Sequence, residues 1–387
     1  MQFLNTTLGE ISVEGKGSYG IAAPAVPYNE NLYAYLRITD ITDDGRLKKT
    51  GLMSVNDINA EKYILEPNDI VFARTGASTG RNYFYDGDDG KFVYAGFLIK
   101  FSIDPMKVNP RYIKYYCQSE KYKNWISAYK TGSTRGNINA QTLSTMPINI
   151  PCKSQQDNAV KILENIEQKI KNNEHINNNL EQQAQAIYQQ MFIDNASSDW
   201  AEGTLSDIAD ITMGQSPSGS SYNEDRNGTI FFQGRAEFGF RFPSVRLYTT
   251  EPKQMACTND TLMSVRAPVG DLNVAHTDCC IGRGLAAIHS KNNHQSFVHY
   301  TMFSIKKQLD IFNGEGTVFG SINRNSLNEM PLLIPSSEKI EKFEAIVAPM
   351  DATIRNNYDE ICHLEQLRDS LLPKLMSGNL DVSEIDL

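Results

Sequence analysis

Between residues 155 and 192 the chain carries neither glycine nor proline, and apolar residues recur at Ile162, Ile166, Ile170, Ile176, Leu180, Ala184, Ile187 and Met191. Spacings of three and four, with one gap of six bridged through Asn173, predict a helix with a single narrow apolar stripe. Its 38 residues would make a rod of about 57 Å. A second stretch near 338–376 repeats the pattern with Ile346, Met350, Ile354, Ile361, Leu364, Leu371 and Leu375. Pro349 lies early in it and is expected to displace the helix start or kink it. Two rods with narrow stripes in one chain most simply pack on each other, as an antiparallel coiled coil. The expected pairing residues are Ile162, Ile166, Ile170, Leu180, Ile187, Ile354, Ile361, Leu364 and Leu371. Asn173 and Asn357 stand at equivalent positions. They belong either to the seam, where a buried Asn fixes register, or to the Asn-rich helix surface.

Outside the rods the period shortens. Tyr35–Ile38, Asp69–Ala73 and Gly96–Phe101 read as strands, separated by turns such as Asp43-Asp44-Gly45 and Asp86-Gly87-Asp88-Asp89-Gly90. Residues 111–128 read as a Tyr-rich helix. Farther on, Ile230–Phe232, Thr261–Val265 and Leu285–Ile288 read as strands, and residues 295–311 as the matching helix. Each globular region is therefore expected to be a β-rich α+β domain, with residues 194–203 as a polar linker.

The two halves are related. GSTRGNINAQTLSTMPINIP (132–151) aligns without a gap on GTVFGSINRNSLNEMPLLIP (316–335). Gly132 meets Gly316, Ile138-Asn139 meets Ile322-Asn323, and Met146-Pro147 meets Met330-Pro331. The alignment runs on into the rods, where Leu180-Glu181-Gln182 meets Leu364-Glu365-Gln366. Upstream it is looser, with Asn68-Asp69 resembling Asn259-Asp260. Four segments follow: 1–151 globular, 152–195 helical, 196–335 globular, and 336–387 helix and tail. Similar frames with divergent contents point to two copies of one device reading two different things.

Charge sharpens this picture. The chain has 37 Lys+Arg against 46 Asp+Glu, a net −9 that by itself argues against nucleic acid. Residues 1–150, however, hold 17 basic and 15 acidic side chains, whereas residues 336–387 hold 5 and 11. The globular regions are near neutral, so their cations can cluster on one face. No apolar run reaches the ~18–20 residues of a membrane span. The first residues lack a basic and apolar leader. The six cysteines form no CxxC pair, and His276, His289, His294 and His299 lack metal-ligand spacing, so no metal is expected and the compartment reads as cytoplasmic.

Together these features resemble the specificity subunit of type I restriction-modification systems, the HsdS family. Matching stretches include Gly15–Ile21, Tyr35–Ile41, Met213–Ser218, Phe232-Gln233-Gly234 and the ending Leu371–Gly378. The resemblance covers essentially the whole chain. It implies two target recognition domains in pseudo-two-fold repeat, separated by the two helices, each domain reading one half of a bipartite double-stranded DNA site. The helices and Leu371–Gly378 would dock two adenine-N6 methyltransferase subunits, with restriction/translocase subunits joining later. It implies no cofactor and no chemistry of the chain's own. The competing expectation is a noncatalytic coiled-coil adaptor without specific DNA recognition.

Two stretches imitate a methyltransferase. Asn109-Pro110-Arg111-Tyr112 approximates the Asn-Pro-Pro-Tyr turn that holds a flipped adenine, but Arg111 breaks its rigidity. Phe312-Asn313-Gly314-Glu315-Gly316 fits a cofactor loop, but follows a helix where a strand is required.

DNA readers need cations for phosphates and forked or amide side chains for base edges. In the first half these are Lys16, Ser18 and Tyr19, then Arg74, Ser78, Thr79, Arg81 and Asn82, then Ser133, Thr134, Arg135 and Asn137. In the second they are Gln215, Ser216, Ser218 and Tyr222, then Gln233, Arg235 and Arg241, then Arg266. Residues repeated between halves are expected to be scaffold, and unrepeated ones to read.

Overall fold

The structure, a computed structural model, describes residues 3–129, 136–314 and 320–385. Two compact units divide the chain. The first takes Met1–Lys171 with Ile361–Leu387, the second Asn172–Glu360. Each contains globular sequence and a part of both long helices. The central helix is Lys153–Tyr188, continued by a π-helical turn over Gln189–Asp194, and the C-terminal helix is Ser337–Ser377.

In the first unit, Ser18–Tyr19, Leu98–Ser102, Asp69–Ala73 and Asn82–Tyr85 form one four-stranded sheet in that spatial order. A second sheet orders Ala25–Pro27, Met53–Val55, Tyr33–Leu36 and Phe92–Tyr94, its last pair parallel. Leu4–Thr7 pairs with Pro147–Ile150. The predicted helix over 111–128 is two helices, Pro110–Tyr116 and Glu120–Ser127. The break comes where the Ser119 hydroxyl caps the second helix at the Tyr122 amide. The fully buried Tyr112 and Tyr115 pack with Phe72, Phe101 and Leu143.

The second unit repeats this plan. Ala209–Met213, Leu285–Ser290, Thr261–Ser264 and Leu272–Val274 make the four-stranded sheet. Thr229–Phe232 runs parallel to Cys279–Ile281 in the other sheet, where Met255–Ala256 adds an edge strand. Ala201–Thr204 pairs with Pro331–Ile334. Gly132 and Gly316 lie outside the described residues, and the described repeated residues serve packing and capping. Ile138 and Ile322 are buried, as are Leu143 and Leu327. Asn139 and Asn323 each cap a short helix, accepting from Thr142 N at 2.8 Å and Ser326 N at 2.9 Å. Asn68 and Asn259 both take left-handed backbone, with φ of 77° and 74°. Each precedes a buried aspartate, Asp69 or Asp260, that opens the central strand region.

The helix stripes differ from the expected ones in one respect. Ile176 is exposed, and the stripe passes instead through Asn173 and Asn177, both buried. Steps of three and four from Ile170 reach 173 and 177, so the helical period carries these asparagines inward and turns Ile176 about 100° away. Ile346 is likewise exposed, while Ile340, Phe343 and Val347 are buried. Of the expected pairing residues, Ile166, Ile170 and Ile354 are buried, and Ile162, Leu180, Ile187, Ile361, Leu364 and Leu371 are half-buried. The C-terminal helix continues through Pro349 without a break.

Within the second unit the two helices run antiparallel. Asn173 Nδ2 donates to Glu360 Oε2 at 2.7 Å, and Asn177 Oδ1 accepts from Asn357 Nδ2 at 2.8 Å. The seam is polar there. Within the first unit, Leu371, Leu372, Leu375 and Met376 pack with Ala159, Val160 and Leu163. Gln155 and Asn158 there bind the tail backbone at Leu380, Val382 and Ile385.

Candidate functional site

The shared frame creates one equivalent mouth in each unit. In the first, Ile21 N donates to Tyr94 O, Arg74 N to Phe97 O, and Ile138 N to Arg74 O. In the second, Gln215 N donates to Ile281 O, Val265 N to Gly284 O, and Ile322 N to Val265 O. Gly20 and Gly214 occupy the same crossing, where a Cβ would collide with a carbonyl oxygen of the neighbouring strand. The bridges Thr75–Asn137 and Arg266–Ser321 close the mouths identically. Backbone register therefore makes Thr75 equivalent to Arg266, Gly96 to Arg283, Phe97 to Gly284, and Arg37 to Gln233.

The side chains at these positions differ. In the second unit Ser216, Gln233, Gly234, Arg235, Ser264, Arg266, Ala267, Arg283 and Gly284 line a concavity of about 260 Å³. Gln233, Arg235, Arg266 and Arg283 are exposed. Arg235 Nη1 donates to Asp271 Oδ2 at 2.8 Å, and Lys306 Nζ lies 3.6 Å from Asp271 Oδ1. Arg266 and Arg283 form no ion pair among the described residues. Arg283 was not singled out from the sequence. Its only local signal is an arginine set between two glycines after a strand, and its place emerges from the strand register.

In the first unit the mouth is aromatic. Tyr19 and Phe97 are exposed, and the Arg74 guanidinium lies 4.9 Å from the Tyr19 ring centroid. Tyr19 is fixed by its hydroxyl, which accepts from Ala140 N at 3.1 Å. Arg74 Nε is buried with no hydrogen-bond partner among the described residues, so the fork is held by packing. Lys16 and Asn137 are exposed, and the Ser18 hydroxyl meets the Tyr94 hydroxyl at 2.9 Å.

Several other sequence candidates are occupied elsewhere. Arg241 is buried, its side chain 5% exposed, between Glu181 at 3.0 Å and Asp351 at 2.5 Å, so it cannot face DNA. Burial opposes its charge, but Asp351, Tyr300 and Glu181 together raise its pKa. Burial also raises the Glu181 carboxyl, against the pull of Arg241. Thr79 is fully buried and donates to Gly76 O at 2.8 Å, while buried Asn82 donates to Cys117 O at 3.2 Å. Both are loop struts and not readers. Arg81 is tied to Asp43 at 2.6 Å, with Ser78 at 3.5 Å beside it. Ser218 bonds Ser220 at 2.8 Å, and Tyr222 bonds Pro217 O at 3.1 Å. Gln215 is exposed, its backbone held at the frame. Ser133, Thr134 and Arg135 lie outside the described residues.

The imitated methyltransferase turn is a helix start. Asn109 caps Pro110–Tyr116 through its side-chain oxygen, and its Nδ2 donates to Asp157 Oδ1 at 2.8 Å. Arg111 pairs with Glu164 at 2.7 Å, and Tyr112 is fully buried. With that amide already engaged, the turn has no open edge for a base. Asn313 likewise accepts from Val269 N, as part of a loop strut. His276 and His289 pair with Asp359 and Asp260, each at 2.6 Å. Among the described residues no group of three His, Cys, Asp or Glu side chains could hold a metal ion, and no helix is long and apolar enough to cross a membrane.

Comparison with known proteins matches the chain twice to the profile of the type I restriction modification DNA specificity domain, over residues 8–182 and 197–366. The putative type I restriction enzyme MjaX specificity subunit of Methanocaldococcus jannaschii is 30% identical over 375 residues, covering 90% of this chain and 88% of its own. The type I restriction enzyme HindI specificity subunit of Haemophilus influenzae is 21% identical over 432 residues, covering 85% and 90%. The crystal structure of the type I restriction-modification S subunit from M. genitalium superposes with a TM-score of 0.58 at 16% identity, over 97% of this chain and 96% of that one.

Proposed function

The chain belongs to the type I restriction-modification DNA specificity family, and from that membership we propose that it is the DNA sequence-specificity subunit of such an enzyme. Each globular domain reads one half of a bipartite double-stranded site. The helices set the spacing and dock two adenine-N6 methyltransferase subunits, and restriction/translocase subunits join that core in the cytoplasm. The chain itself is noncatalytic. The observation that carries this reading is the pair of mouths: one backbone frame, with the same bridging bonds in both units, presents Tyr19, Arg74 and Phe97 in one unit and Gln233, Arg266 and Arg283 in the other. Two copies of a binding frame with different faces are what a two-part recognition site requires.

Charge gives the reading a second consequence. Phosphate contacts dominate affinity for DNA and need cations, while residues 1–150 hold 17 basic against 15 acidic side chains. The subunit alone therefore grips DNA weakly, and its partners supply most of the cationic contact. The test is to reconstitute the chain with the methyltransferase subunits and map methylated adenines on genomic DNA. A bipartite methylated motif, absent without this chain, is expected. Methylation without a bipartite motif, or methylation by this chain alone, overturns the proposal.

A further inference from the structure

Resting on the DNA-reading function above, we propose that the second unit recognises a guanine in its half-site, through the guanidinium forks of Arg266 and Arg283, which are unpaired among the described residues. The argument is one of donor and acceptor balance at the mouth. Arg266 and Arg283 are exposed and line the same concavity as Gln233. The neighbouring carboxylate, Asp271, is held by Arg235 at 2.8 Å and faces Lys306 at 3.6 Å. The mouth thus offers forked donors and an amide, with its acidic acceptor engaged. Reading cytosine in the major groove needs an acceptor for its amino group, commonly Asp or Glu. Guanine presents two acceptors, N7 and O6, to which an arginine fork donates bidentately, and adenine matches an amide such as Gln233.

The backbone supports this placement. Arg283 sits between Gly282 and Gly284, and its amide donates to Ser216 Oγ at 3.2 Å. A Cβ on Gly284 would press the Gln233 carbonyl at 2.9 Å, so the strand ends meet closely and the arginine between them projects from a fixed base. The first unit has Gly96 at the equivalent position and Thr75 at that of Arg266. Arginine forks at these two positions are therefore peculiar to the second half, the first mouth placing its arginine, Arg74, one residue earlier and against Tyr19.

Charge-conserving substitutions separate a base contact from a phosphate contact. Arg266→Lys and Arg283→Lys keep the cation and lose the fork. Each variant, as full chain with its methyltransferase subunits, is used to select duplexes from a random pool and to methylate genomic DNA. The expected result is a guanine in one half-site whose preference falls about tenfold to a hundredfold in one or both variants, with the other half-site unchanged. That unchanged half reports an intact fold. Retention of every base preference in both variants assigns the arginines to phosphate and overturns the inference, as does a wild-type motif without guanine in the responding half. Equal loss at both half-sites, meaning a general loss of affinity, also overturns it. If wild-type complex selects no bipartite motif, the specificity function itself falls, and the two failures are told apart.

Discussion

Replacing Arg241 with methionine removes the one cation between two carboxylates inside the second unit. Arg241 Nη1 lies 3.0 Å from Glu181 Oε1 on the central helix, and Nη2 lies 2.5 Å from Asp351 Oδ1 on the C-terminal helix. The Tyr300 hydroxyl donates to the same Asp351 oxygen at 3.0 Å. The side chains of Arg241, Glu181 and Asp351 are 5%, 14% and 20% exposed, so solvent screens them little. Breaking such a buried pair from one side costs about 3–5 kcal/mol, because an unpaired charge stays in the interior. For a unit of this size each kcal/mol moves the midpoint by about 2–4 °C, so Arg241→Met should lower it by about 6–20 °C. Scanning calorimetry of the full chain measures the shift, and hydrogen exchange of peptides within Asn172–Glu360 locates it. Adding Glu181→Gln and Asp351→Asn to the methionine variant should recover most of the loss, since neither amide then carries a buried charge. A methionine variant within about 1 kcal/mol of wild type would refute the reasoning. So would a triple variant with no recovery, which would place the cost in packing.

Two more expectations concern the same unit. His299 is buried, its Nδ1 bonds Thr261 Oγ1 at 3.1 Å and its Nε2 has no partner among the described residues, and burial holds its pKa well below the ordinary 6.5. The unfolded chain then binds a proton below pH 6.5 that the folded chain refuses, so stability is complete above that pH and falls as pH drops, by at most about 1.4 kcal/mol per unit; urea melts from pH 7 to 5 should show that slope, and its persistence in His299→Leu would exclude this residue as the source. In the helix seam, Asn177→Leu alone strands the Asn357 amide and should cost about 1–3 kcal/mol, whereas Asn177→Leu with Asn357→Leu should be neutral or stabilising; equal losses in thermal melts of the two would refute a paired seam.

Much of the architecture is legible in the chain because its signals are local or repeated. The Asp69–Ala73 strand is bounded in the structure as the apolar run bounds it, and the long helices follow from periodicity without glycine. The misreading at Ile176 shows the limit of counting apolar residues. An asparagine paired across a seam is as much a core residue as isoleucine, and only its partner reveals that. Pro349 shows a related limit: a helix packed along its length tolerates a proline that an isolated one would not.

The duplication, the two rods and the near-neutral globular regions were determined by sequence alone, since each is a property of neighbouring residues or of an alignment. Which cations are free to meet a ligand was decided by tertiary structure. Arg241, Arg81 and Arg283 look alike in sequence. Their fates depend on partners 110 residues away at Asp351, 38 away at Asp43, or on none among the described residues. A guanidinium is satisfied wherever the fold brings a carboxylate within about 3 Å, and that distance exists only once the chain has folded.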